Sequence, residues 1–229
     1  MRTIEALIEA IHQEALREPF PIDTPVYEQA GKDPSFPILY AGTLEAPVCV
    51  FARDLGSTEV VEGQPLIGAG GRLVRTGFYE AMTGNLPPRS DQKIESVLSQ
   101  VLLTNTVPYK PPGNKAYINR VKQRFRPFLA ELLGAHWKGN NVITLGTEAF
   151  QWFAPYADPA EFKEFWARDD RYEASLNCQL SPGPDSAQDS LKAITLLPLP
   201  HPSPLNQKWY KEFPKLLAAR IASLPTEVL

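Results

Sequence analysis

One histidine and one serine stand in a proline-stiffened run, Leu197-Pro-Leu-Pro-His-Pro-Ser-Pro-Leu-Asn206. Each proline fixes φ and removes a backbone donor, so the loop that holds His201 and Ser203 is stiff by construction. An apolar run precedes it, and a helical pattern follows from Gln207. A rigid loop between a strand and a helix N-terminus can present an imidazole and a hydroxyl to a phosphate-bearing ligand. Two more polar residues follow apolar runs far upstream. Asp54 comes after Val48-Cys-Val-Phe51, and Asn105 comes directly after Val101-Leu-Leu-Thr104. A carboxylate can orient water or stabilise positive charge, an amide can read a hydrogen-bonding edge, and an imidazole exchanges a proton near neutral pH. Taken singly, Asp54 and Asn105 also read as caps of strand ends, and His201 as a packed loop residue.

The elements that must position them follow from the apolar pattern. Residues 3–17 carry Ile4, Leu7, Ile8, Ile11 and Leu16 at close to helical spacing. Segment 19–46 is proline-rich and reads as irregular. Four short apolar runs, 48–51, 101–104, 142–145 and 193–197, suit strands buried on both faces. Between and after them, 70–82, 118–133, a stretch from Glu148 and 207–224 read as helices. Strands alternating with helices predict an α/β fold, a three-layer α/β/α sandwich around a central four-stranded, mainly parallel sheet. Ligands in such sheets bind outside the carboxyl ends of the strands. Asp54, Asn105 and His201 all fall within a few residues of such an end, and that joint placement favours one shared site.

Composition narrows the classes. The chain has 229 residues, 43% of them hydrophobic, enough for one domain with a substantial core. A single domain over 1–229 is expected, with 1–46 an N-terminal helix and irregular segment, 154–190 an insertion, and Ser181-Pro-Gly-Pro-Asp185 an exposed turn. The 23 prolines are scattered, so they read as loop stiffeners rather than a linker. Two cysteines, Cys49 and Cys178, argue against a disulfide framework or a metal cluster. The N-terminus lacks a signal-type apolar segment and no run approaches a membrane span, so a cytoplasmic protein with no membrane partner is expected. A net charge of −3 argues against nonspecific coating of nucleic acid, though not against an enzyme touching a few phosphates. Basic residues from Arg72 and Arg75 through Arg120, Lys122, Arg124 and Arg126 gather in the middle, as a solvated helix face or a weak hint of a phosphate-facing patch.

With these residues in hand, the chain resembles the uracil-DNA glycosylase superfamily over about residues 47 to 222. Ala52-Arg-Asp-Leu-Gly-Ser-Thr-Glu-Val-Val-Glu-Gly-Gln-Pro65 keeps, without a gap, the spacing of that superfamily's first motif in its iron–sulfur branch. Leu102-Leu-Thr-Asn-Thr-Val107 looks like the second motif of the best-known branch. Lys110-Pro-Pro-Gly-Asn114 is similar to a segment of the iron–sulfur branch, and His201-Pro-Ser-Pro-Leu205 matches the DNA-gripping third motif.

The resemblance implies a DNA glycosylase acting on uracil or another deaminated base, without metal or cofactor, with single- or double-stranded DNA as partner and a monomeric state. A silent nucleic-acid-binding protein, or a hypoxanthine or xanthine glycosylase, is the alternative. It implies Asp54 beside the sugar, His201 at the departing base, and Asn105, Leu66, Gly56 and Ser57 around the base. Ser203, Pro202 and Pro204 would clamp a phosphate, Leu205 and Asn206 would fill the gap left by a flipped nucleotide, and Lys110 and Lys115 would meet further phosphates. Glu59 and Glu62 are reserve carboxylates, while His12 and His136 read as surface or packing residues. The departures are specific. Tyr109 and the neighbourhood of Phe125 stand where iron–sulfur relatives carry cluster cysteines, and an N-terminal cysteine pair is absent, so no cluster is expected. Arg53 and Leu55 break the first motif, and Leu66 replaces an aromatic that stacks on uracil.

Overall fold

The computed structural model describes residues 2–113, 115–181, 191–203 and 206–224. Its centre is a six-stranded sheet: β1 (Tyr40–Gly42), β2 (Val48–Ala52), β3 (Val101–Asn105), β4 (Asn141–Leu145), β5 (Leu176–Leu180) and β6 (Lys192–Leu199), in the order β1-β3-β2-β4-β6-β5. The middle four are parallel, with Val50 paired to Leu103 and Ile143, and Ile143 to Leu197. These are the four strands expected from their apolar runs. The two edges, β1 and β5, are antiparallel additions. They escape the pattern because β1 has three residues, and β5 shows the buried–exposed alternation of a strand with one face in water.

Helices cover both faces. The layer formed by α1 (Ile4–Arg17), α5 (Asn119–Glu131), α6 (Thr147–Gln151) and α7 (Pro159–Ala167) packs on Cys49, Phe51, Leu102, Val142 and Leu196. On the opposite face, α4 (Ala69–Thr83) and α8 (Gln207–Ala222) pack on Val48, Val50, Leu103, Ile143 and Leu197. Alternate residues of each central strand thus enter different cores, which is why these strands are apolar throughout.

Segment 19–46 is less irregular than its prolines suggest, for it carries α2 (Thr24–Gln29) and β1. Residues 154–190 are likewise no simple appendage. Phe162, Phe165, Leu176, Cys178 and Leu180 are buried in the main core, and Arg220 of α8 donates to the carbonyls of Glu173, Arg171 and Ala174. Of the expected turn at 181–185, all but Ser181 lies outside the described residues. Where iron–sulfur relatives carry cysteines, aromatic rings fill the space. Tyr109 and Phe125 lie 5.3 Å apart, each about 5 Å from Phe20. The Tyr109 hydroxyl donates to the Ser35 carbonyl at 2.9 Å, tying the N-terminal segment to this cluster. No helix among the described residues is long and apolar enough to cross a membrane.

Chain direction places the crevice. From β2 the chain runs to β3 on one side, returns across β2 to β4, and continues to β6 on the other side. Neighbouring strands β2 and β4 therefore send their following segments opposite ways, and the cleft opens at their carboxyl ends.

Candidate active site

A cavity of about 530 Å³ opens at this edge, between the segment after β2, the start of α4 and the loop after β6. Asp54, Gly56, Ser57, Leu66, His201, Pro202 and Ser203 all line it. Asp54 and His201 arrive from strands separated in the sheet only by β4.

The first segment is held by its own backbone. The helix α3 (Ser57–Glu62) begins at Gly56, and the Glu59 carboxylate accepts from the amides of Gly56 at 3.0 Å, Ile67 at 3.2 Å and Gly68 at 2.8 Å. Glu59 is thus a brace, its carboxylate oxygens engaged by three amide donors. Glu62 pairs with Lys93 at 2.7 Å. Neither carboxylate stands in reserve. From β3, Thr106 clamps the same segment, its amide and hydroxyl donating to the Arg53 carbonyl at 3.0 and 2.5 Å.

Leu66 forms part of the wall in a left-handed conformation, φ 53°, which a non-glycine residue adopts only when its surroundings enforce it. Buried Arg75 supplies that constraint. Its Nε donates to the Leu66 carbonyl at 2.9 Å, and its Nη atoms donate to the carbonyls of Lys93 and Pro65 and to Gln64.

The third-motif loop is closed by short turns, Ser203 amide to the His201 carbonyl at 2.9 Å and Asn206 amide to the Ser203 carbonyl at 2.8 Å. Gly146, at the end of β4 with φ 85°, backs His201 so closely that a Cβ there would lie 2.9 Å from the histidine's own Cβ. Pro204 and Leu205 lie outside the described residues. Asn206 precedes the first turn of α8 and does not line the cavity.

The electrostatics follow from depth. Asp54 has a side chain only 4% exposed, and burial pushes its carboxyl up to about 6, against the opposing pull of Arg53, Lys122 and the Tyr117 backbone. His201 meets solvent along one side. Burial of the rest of the ring and the charge of Arg53 lower its pKa, favouring the neutral imidazole. At neutral pH the cavity therefore combines an ionised carboxylate with a neutral histidine.

Not every expected residue arrives here. Asn105 is buried one strand over, in register with Ala52, which lines the cavity. Its Oδ1 has no hydrogen-bond partner among the described residues. Lys110 is a correction. Its ammonium is 1% exposed and donates to Asp23 at 2.5 Å and to the carbonyls of Pro111 and Gly113, so it locks a loop and is not offered to a phosphate. Lys115 is exposed.

The mid-chain basic residues are also largely engaged by partners within the protein, Arg120 among them although it is 78% exposed. Arg72 holds the carbonyls of Asp91 and Gln92, Arg120 pairs with Glu18, Lys122 with Glu148, and Arg124 with Glu14. His12 and His136 contact Ser35 and Glu131, away from the cavity, as expected of packing residues. Sequence reasoning missed the Arg53–Asp54 ion pair and the role of Arg75. The run Gly68-Ala-Gly-Gly71 was the available signal for a close backbone approach at this wall.

Residues 40–224 match the family model described as the uracil DNA glycosylase superfamily. No curated protein matches the chain.

Proposed function

The chain belongs to the uracil DNA glycosylase superfamily, and from that premise we propose that it hydrolyses the N-glycosidic bond of uracil or another deaminated base in DNA. Membership supports a DNA glycosylase-type function, and the cavity chemistry supports the finer reading. The observation that carries it is the meeting of Asp54 and His201, remote in sequence, in one cavity at the carboxyl edge of the sheet.

Reaching the bond requires taking the nucleotide out of the stack, at about a few kcal/mol. Pocket contacts with the flipped base offset that cost. As the C1′–N bond breaks, its electron pair leaves with the base and positive charge grows on the sugar. The ionised Asp54 stabilises that charge and orients the water whose oxygen bonds to C1′; the water's proton passes to Asp54 and on to solvent. Neutral His201 donates a hydrogen bond to the base oxygen as the anion forms. Asn105 stays buried one strand over with an unpartnered Oδ1 and does not line the cavity, so its expected pairing with the N3–H and O4 of uracil, which would reject cytosine, requires the base to reach past Ala52. Ser203 and the first residues of α4 at the rim suit a phosphate, because a helix N-terminus carries partial positive charge. Lys115, an exposed cation in the segment after β3, is a further candidate for a phosphate contact.

Leu66 favours a second reading, a purine substrate such as hypoxanthine, because the wall offers no aromatic face to a pyrimidine. The test is a panel of oligonucleotides carrying one uracil, inosine or xanthosine each, with alkali revealing abasic sites. Cleavage at uracil supports the first reading. Cleavage at inosine alone supports the second. Binding without cleavage of any of them overturns both.

A further inference from the structure

Arg53 breaks the resemblance at the residue next to Asp54, and the structure puts its side chain on the cavity wall. Its Nε lies 2.8 Å from Asp54 Oδ2. The Arg53 backbone is anchored by Thr106, so the side chain departs from a fixed point. Asp54 is sunk, 4% exposed, while the arginine side chain on the cavity wall is 32% exposed.

The other charges near this pair offset one another or are already engaged. Lys122 of α5 and Glu148 of α6 are bonded to each other, and their effects on Asp54 oppose. Glu59 of α3, the other carboxylate on the cavity wall, is held by three backbone amides. Arg53 is a charge felt by both Asp54 and His201.

We propose that Arg53 is a positioning residue for this site, the counter-ion of the Asp54 carboxylate on the wall of the cavity that His201 also lines. A cation at that point serves both groups at once. It favours the ionised form of the acid and the neutral form of the imidazole, the pair of states that hydrolysis needs. The inference rests on the reading of Asp54 and His201 as the acting pair, and it names a residue at which this chain departs from the motif that suggested Asp54.

Two measurements test it. The first follows the His201 ring by NMR titration in the DNA-free protein, with His201→Ala assigning the signal. Arg53→Gln moves the His201 midpoint upward, and Arg53→Lys, which keeps the charge, holds it near wild type. The second records single-turnover excision against pH on the oligonucleotide that the wild type cleaves. Arg53→Gln shifts the acid limb upward by about one pH unit or more, so the loss is large at pH 6.5 and small at pH 9, and Arg53→Lys restores most of it.

An unmoved His201 midpoint in Arg53→Gln, or a loss equal at every pH, overturns the proposal. If Arg53→Gln does not fold, Arg53→Met carries the titration instead. Its His201 midpoint also rises, while an unchanged midpoint overturns the proposal. A wild type that cleaves no substrate defeats the functional reading, and the titration still decides the role of Arg53.

Discussion

Gly71 and Leu66 are in backbone contact: a Cβ on Gly71 would lie 2.0 Å from the Leu66 carbonyl carbon and 2.1 Å from its oxygen. The first turn of α4 thus presses directly on Leu66, whose left-handed backbone forms part of the cavity wall. Gly71→Ala forces that wall to move. The expected cost is about 1–3 kcal/mol, read as a lower unfolding temperature, together with weaker substrate binding. Wild-type stability and KM in this variant would contradict the assignment of Leu66 to the wall.

Asp54 links activity to stability with opposite signs. Its carboxyl is raised from 3.8 to about 6 in the fold, so between those values the folded state holds more protons than the unfolded one. The contribution of this group is therefore most favourable below pH 4 and is lost as pH rises through about 6. Its ionisation opposes folding at neutral pH by an amount of order 3 kcal/mol. Asp54→Asn removes that burden and raises the unfolding temperature at pH 8 by roughly 4–12 °C, with the difference vanishing near pH 4, while excision is lost. Equal unfolding temperatures at pH 8 would argue against a buried, ionised carboxylate.

Lys110 and Lys115 separate in their effects although both lie in one short segment. Lys110→Met strands the Asp23 carboxylate and two carbonyls, costing about 3–5 kcal/mol of stability, and leaves the salt dependence of DNA binding unchanged. Lys115→Ala leaves stability unchanged and lowers the slope of log K against log salt by about 1. Chemical denaturation and binding at several salt concentrations check the two halves.

Gly146→Ala tests how His201 is placed. The added methyl meets the His201 Cβ and also requires a residue with a side chain at φ 85°. Displacing the imidazole by about 1 Å is enough to cost roughly 100-fold in rate. Single-turnover rates near wild type would show that this contact does not set the ring's position.

The buried parallel strands were legible because both their faces are covered, so Val48–Phe51 or Val142–Leu145 could hardly be anything else. Their carboxyl ends then located Asp54 and His201 without knowledge of any contact. What stayed hidden left no continuous apolar run. The strand Tyr40–Gly42 is too short, and Leu176–Leu180 alternates apolar with polar residues, as an edge strand with one face in water does. Lys110 looked like a surface cation because lysine usually is one; only the three acceptors around its ammonium reveal a lock. Arg75 and Glu59 were equally opaque, since a side chain that satisfies distant backbone groups leaves no mark on sequence spacing.

The most direct test compares wild type, Asp54→Asn and His201→Ala under single turnover on a duplex and a single strand bearing one uracil. Wild type is expected to produce alkali-labile sites, with a rate that climbs as pH passes through about 6, and each variant to lose roughly 100- to 1,000-fold while binding the uracil-bearing strand. Cleavage by wild type that survives both substitutions would contradict the account at its centre.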